Sequence, residues 1–116
     1  MPKKPSRIKW TNAARDDVLQ IRRYLQTHVS SAYATKITEE IRRAVLLLKQ
    51  RPDLGHLVPE LAGLGLHHFR QIHADQNRII YASCGDVLYI HLICHVRMDL
   101  AALLARRFNL TPPSPV

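Results

Sequence analysis

The sequence predicts an α+β fold: a short N-terminal strand, an antiparallel helical hairpin, a three-stranded antiparallel sheet packed on that hairpin, and a short C-terminal helix. Three observations lead there. Apolar residues recur at spacings of three and four through two segments between Ala13 and Pro52. Three short segments near 66–72, 78–82 and 87–93, rich in β-branched and aromatic residues and separated by turn residues, then read as strands. A length of 116 residues allows one domain with one modest core. The expected organisation is a disordered leader over 1–5, a single domain over 6–109, and a disordered tail over 110–116 that carries three of the prolines.

Each element has a local cause. Ser6-Arg7-Ile8-Lys9-Trp10 alternates, as a strand does. Thr11 or Asn12 can cap a helix beginning at Ala13, with Asp16 and Asp17 near the positive end of its dipole. Ala14, Val18, Ile21 and Leu25 form its apolar stripe. Ser30 or Ser31 begins a second helix whose stripe is Ala34, Ile37, Ile41, Ala44 or Val45, and Leu48. Pro52 ends it. A link this short forces the two helices into an antiparallel hairpin. Pro52, Gly55, Pro59, Gly63 and Gly65 punctuate a compact loop, pinned to the core by Leu54, Leu57, Val58 and Leu61. The three strands follow, with turns at 75–77 and 83–86 that make neighbours antiparallel. Leu100, Leu103 and Leu104 mark an amphipathic helix from Leu100 to Phe108.

The formal charge of +8 fits three partners: nucleic acid, an anionic membrane surface, or an acidic protein. No apolar run reaches the ~18 residues that would mark a membrane span, and Met1-Pro2-Lys3-Lys4-Pro5 lacks the apolar stretch of a secretory signal. A cytoplasmic chain is therefore expected, with Cys84 and Cys94 unpaired. No metal or other cofactor is expected. His91 and His95 lie four residues apart in a strand, about 13 Å, too far to share an ion.

Strand alternation places Leu88, Ile90, Leu92 and Cys94 on one face, toward the helices. Val87, Tyr89, His91, Ile93 and His95 then face outward, and Arg97 joins them if the parity continues. Pairing Ala82 with Val87 sets Arg78 opposite His91 on the same outer face, with Ile79 and Tyr81 toward the core. The turn after the first of the three strands leaves its phase open, so either His68 and Arg70 or His67 and Phe69 share that face. An apolar surface rimmed by cations marks a partner site. The competing expectation is that the C-terminal helix folds back and covers it.

The ordered series Ala13-Ala14-Arg15-Asp16-Asp17-Val18, Ile21-Arg22-Arg23-Tyr24-Leu25, Arg51-Pro52-Asp53-Leu54-Gly55, Val58-Pro59-Glu60-Leu61, Leu66-His67-His68-Phe69-Arg70, Asn77-Arg78-Ile79-Ile80-Tyr81 and His95-Val96-Arg97-Met98-Asp99-Leu100 resembles the RelE/ParE superfamily of toxins from type II toxin–antitoxin modules. It looks closer to the ParE side, the plasmid-stabilisation type. The resemblance implies a cognate acidic antitoxin whose extended tail wraps the toxin, and either a homodimer or a toxin–antitoxin hetero-oligomer.

Two activities follow from the resemblance. RelE-like members cut messenger RNA on the ribosome without metal, by attack of the 2′-hydroxyl on the adjacent phosphate; this needs a base, an acid and cations for the phosphorane. In that reading Arg78 and Arg97 bind phosphate and His95 is the acid or base. ParE-like members instead bind and poison DNA gyrase. Here no Tyr follows Tyr89, the 53–65 loop carries no Lys, and His67 stands where many relatives have Arg. These departures favour gyrase as the target, with the ribosome and mRNA as the alternative, and a degenerate toxin that only binds its antitoxin as a third reading. Residues expected to meet target or antitoxin are Arg70, Arg78, Tyr89, His91, Ile93, His95 and Arg97.

Overall fold

The computed structural model describes residues 4–107. In chain order these form β1 (Arg7–Trp10), α1 (Asn12–His28), α2 (Ser31–Gln50), β2 (His56–Leu57), α3 (Pro59–Ala62), β3 (Phe69–Ala74), β4 (Asn77–Cys84), β5 (Val87–His95) and α4 (Leu100–Arg107). Residues 1–3 of the expected leader, the whole expected tail over 110–116, and residues 108–109, with the expected end of the last helix at Phe108, lie outside the described residues. Pro5 is buried, and Lys4 Nζ donates to Gln50 Oε1 at 3.3 Å.

The helical hairpin forms as its local chemistry dictates. Thr11 Oγ1 accepts from Ala14 N at 3.1 Å and Ser30 Oγ accepts from Tyr33 N at 3.0 Å, so each helix has a hydroxyl N-cap. The buried residues of α2 are Ala34, Ile37, Ile41, Val45 and Leu48. In α1 only Ala14 is fully buried; Val18, Ile21 and Leu25 pack at the margin of the same core.

The sheet is larger than expected. Five strands lie in the order β1-β5-β4-β3-β2. The three central strands are antiparallel, and β2 adds an antiparallel edge, but β1 runs parallel to β5. Ser6 anchors that pairing, its N donating to Asp86 O at 2.7 Å and its Oγ to Asp86 Oδ2 at 2.8 Å. The expected antiparallel sheet is thus the centre of a mixed one.

The register also differs. Cys84 pairs with Val87 and Ala82 with Tyr89, so the turn is the two-residue Gly85-Asp86, not a four-residue loop. Gly85 takes φ +61°, a conformation glycine adopts without steric cost. The β3–β4 turn is likewise two residues, with Asp75 at φ +54°. Further along, Tyr81 pairs with Ile90 but Ile80 with Leu92, leaving His91 as the extra residue of a β-bulge. The bulge inverts side-chain phase. Leu88, Ile90 and Ile93 face the hairpin with Ile72, Ile79 and Tyr81, while Leu92 and Cys94 lie on the opposite face with Ile80. That second face is covered by Val58 at the start of α3, by Leu61 of α3, and by Leu100 and Leu104 of α4. The C-terminal helix therefore folds back over the sheet.

Tyr81 ties the 52–55 loop to the hairpin-side core. Its hydroxyl donates to Pro52 O and accepts from Gly55 N, both at 2.9 Å. A Cβ on Gly55 would stand 2.6 Å from the Tyr81 hydroxyl and from Gln71 O, so only glycine allows this approach. Burial, the largest influence, pushes the Tyr81 phenol above its ordinary pKa. Tyr81→Phe removes both bonds and strands the buried Gly55 N–H. Urea unfolding should show a loss of about 1–3 kcal/mol, and an unchanged midpoint would show the hydroxyl to be idle.

Candidate functional site

Arg78 does lie on the face away from the hairpin, but opposite Cys94 and not His91. Its guanidinium is held on three sides. Nη1 and Nη2 donate to the two carboxylate oxygens of Glu60, each at 3.0 Å, and Nε donates to Gln71 Oε1 at 2.7 Å. Glu60 is delivered by α3, which starts at Pro59 where the ring suits the first helical position. The Arg78 side chain is only 13% exposed. Its fork clamps α3 to the sheet, and the hydrogen bond from it is the main reason that the Glu60 carboxyl sits below its ordinary pKa. Nearby Cys94 is buried, which pushes its thiol up to about 11 and leaves it inert near neutral pH.

Tyr89 and His91 occupy the β1 end of the same face. Phase conservation across paired strands adds two residues the sequence reading passed over: Arg7, opposite Val87, and Lys9, opposite Tyr89, both exposed. Their alternation was visible, but their placement needs the long-range parallel pairing. The His91 ring meets Phe69 edge-on at 5.3 Å between centroids, and Phe69 meets His68 at 4.2 Å. Burial, then electrostatic repulsion from His68 and Arg107, lowers the His91 pKa below its ordinary value.

The bulge at His91 is pinned by a network that sequence reasoning missed. Asp17 Oδ2 accepts from Ile93 N at 3.0 Å. Arg107 Nη2 donates to Asp17 Oδ1 at 2.8 Å, and its Nη1 to His91 O at 2.7 Å. One carboxylate thus joins α1, the bulged strand and the end of α4. The signal was present: Asp17 lies three residues after Ala14 and four before Ile21, on the apolar stripe where a carboxylate needs a partner. Arg107 does more than complement a helix dipole.

The remaining expected residues disperse. Ile93 is 3% exposed and faces the hairpin, so it offers nothing to a partner. His95 pairs with Asn77, two residues beyond Ile93 and on the hairpin side. Its Nδ1 accepts from Arg97 N at 3.1 Å, and Arg97 is exposed in the turn before α4. Arg70 is opposite Tyr81, also hairpin-side, and its Nη1 donates to Gly55 O at 2.9 Å. The predicted single cluster assumed uninterrupted alternation through His91; the bulge and the covering α4 divide it. Among the described residues no group of three His, Cys, Asp or Glu side chains could hold a metal ion, and no helix is long and apolar enough to cross a membrane.

The site is thus set in a hydroxyl-capped helical hairpin on one face of a mixed sheet, with a short helix folded over the other. The family model for the ParE toxin of type II toxin–antitoxin systems matches residues 8–100, and the chain belongs to that family. Among solved structures it is similar to a chain of the chromosomal ParDE toxin–antitoxin system from P. aeruginosa, with a TM-score of 0.67 and 19% identity over 80% of this chain and 98% of that one. At that identity the likeness speaks for the fold. No curated protein matches the chain.

The Arg78–Glu60 clamp has a pH signature. A carboxyl whose folded pKa is lowered adds stability above its unfolded pKa, near 4.3, and loses it as pH falls through the folded value. Urea midpoints between neutral pH and about pH 3 should therefore fall less steeply for Glu60→Gln than for the wild type. Parallel slopes would show that the pair does not differ between folded and unfolded chains.

Proposed function

We propose that this chain arrests growth by poisoning DNA gyrase and is neutralised by a cognate acidic antitoxin. Membership in the ParE toxin family carries the reading. The geometry supports it over the nuclease alternative. Cleavage of RNA needs a base, an acid and free cations converging on one phosphate. Here Arg78 is committed to Glu60 and Gln71, His95 is on the hairpin side at the end of β5, and Arg97 is exposed in the following turn.

The antitoxin contact we place at the β5–α4 turn, where exposed Arg97 lies between Val96 and Met98, 39% and 50% exposed. Such a mixture of cation and apolar surface suits an acidic chain with apolar side chains. Tyr89 and the cations Arg7 and Lys9 extend the basic surface at the far end of β5.

Purified protein added to gyrase and supercoiled plasmid should trap cleaved DNA that is released as linear product after denaturation, and a co-purified antitoxin should prevent it. Absence of cleaved DNA, together with cuts in translated message, would transfer the assignment to the ribosome-dependent alternative. Growth arrest with neither signature would discard both targets.

A further inference from the structure

The last three turns of α2 have an outer face that the fold leaves uncovered. Ile41, Val45 and Leu48 turn into the core, yet Leu46 and Leu47 are 59% and 51% exposed. Cations flank this pair by one helical turn on either side: Arg42 and Arg43 four residues before, Lys49 and Arg51 three and four residues after. Arg42 is engaged by Glu39 in an exposed pair, but Arg43, Lys49 and Arg51 take part in no ion pair among the described residues. Lys4 is drawn to the same end by its hydrogen bond to Gln50. From Ile41 to Arg51 there is no acidic residue.

A lone exposed leucine is ordinary. Two adjacent ones with cations at the rim and no carboxylate among them have the anatomy of an interface, apolar at the centre and charged around it. We propose that this face of α2 docks a folded protein target through an acidic surface with an apolar recess for Leu46 and Leu47. The proposal rests on the toxin reading above and assigns its target-binding surface to the hairpin, not to the sheet.

Shape and charge select that occupant. A helix exterior is convex and offers no groove to an extended chain, so its complement is a concavity on a folded partner. A second copy of this chain is disfavoured because symmetric packing sets the same cations against each other. Duplex DNA would welcome the cations, but leucines at the centre carry neither donors nor acceptors for base edges.

The test uses two double variants of the full chain, Leu46→Ser with Leu47→Ser, and Arg43→Glu with Lys49→Glu. All four positions are exposed, so thermal melts close to wild type establish that the fold is kept. Both variants should keep co-purifying with the antitoxin. They should need about tenfold more protein to give the same growth arrest and the same yield of gyrase cleavage complexes, the loss typical of an interface centre. Wild-type potency in both variants overturns the proposal. So does loss of antitoxin binding, which would make this the antitoxin's surface, or binding of duplex DNA alone by wild type but not by the variants. If wild type arrests growth without trapping gyrase and the variants do not arrest, the docking face stands and the gyrase reading falls. If wild type does not arrest growth, both fall.

Discussion

One inserted residue decides which side of the sheet everything else faces. Without the bulge at His91, Leu88, Ile90, Leu92 and Cys94 would share a face and Ile93 would stand in water. With it, β5 supplies two apolar surfaces: Leu88, Ile90 and Ile93 for the hairpin, Leu92 and Cys94 for the other side. A sheet that is apolar on both faces must be covered on both. The layer formed by α3 and α4 is the consequence. The bulge is held by the Asp17 carboxylate, which takes the Ile93 N–H, and by Arg107, which takes the His91 carbonyl.

Magnitudes separate this network from the other charge pairs. Arg107 and Asp17 are 23% and 13% exposed, so loss of either leaves a poorly hydrated charge and a loosened strand, a defect on the order of 3–5 kcal/mol. Arg42 and Glu39 are 66% and 41% exposed, where a pair contributes roughly 0.3–0.5 kcal/mol. The first pair joins residues 90 positions apart and fixes topology; the second decorates a helix that its own stripe already holds.

What could be read from the sequence was local. Thr11 and Ser30 cap the helices, and Ala34, Ile37, Ile41, Val45 and Leu48 are the buried stripe, because capping and 3.6-residue periodicity act within a few residues. The central strands were legible for the same reason. The parallel pairing of β1 was not, since Arg7 finds Val87 across most of the chain. Nor was the bulge: nothing local in His91-Leu92-Ile93 breaks the two-residue phase of a strand until the carboxylate from α1 and the guanidinium from α4 are known to meet there. The candidate site depended on that phase, so Tyr89 and His91 kept their face, Ile93 lost its own, and Arg78 kept its face but gained a carboxylate.

The paired cations also sharpen what the net charge means. Each buried or half-buried pair, Arg78 with Glu60 and Arg107 with Asp17, removes one charge of each sign. The excess of +8 is therefore undiminished by the clamps, and it resides on other groups. Arg7, Lys9, Arg43, Lys49 and Arg51 are among them, all exposed. Cations fixed inside the fold contribute to cohesion; those outside set the long-range field that accelerates encounter with an acidic partner and weakens as salt screens it. Composition counts both kinds alike. Only the positions of Glu60 and Asp17 tell which arginines hold this ParE-family fold together and which are left to meet another molecule.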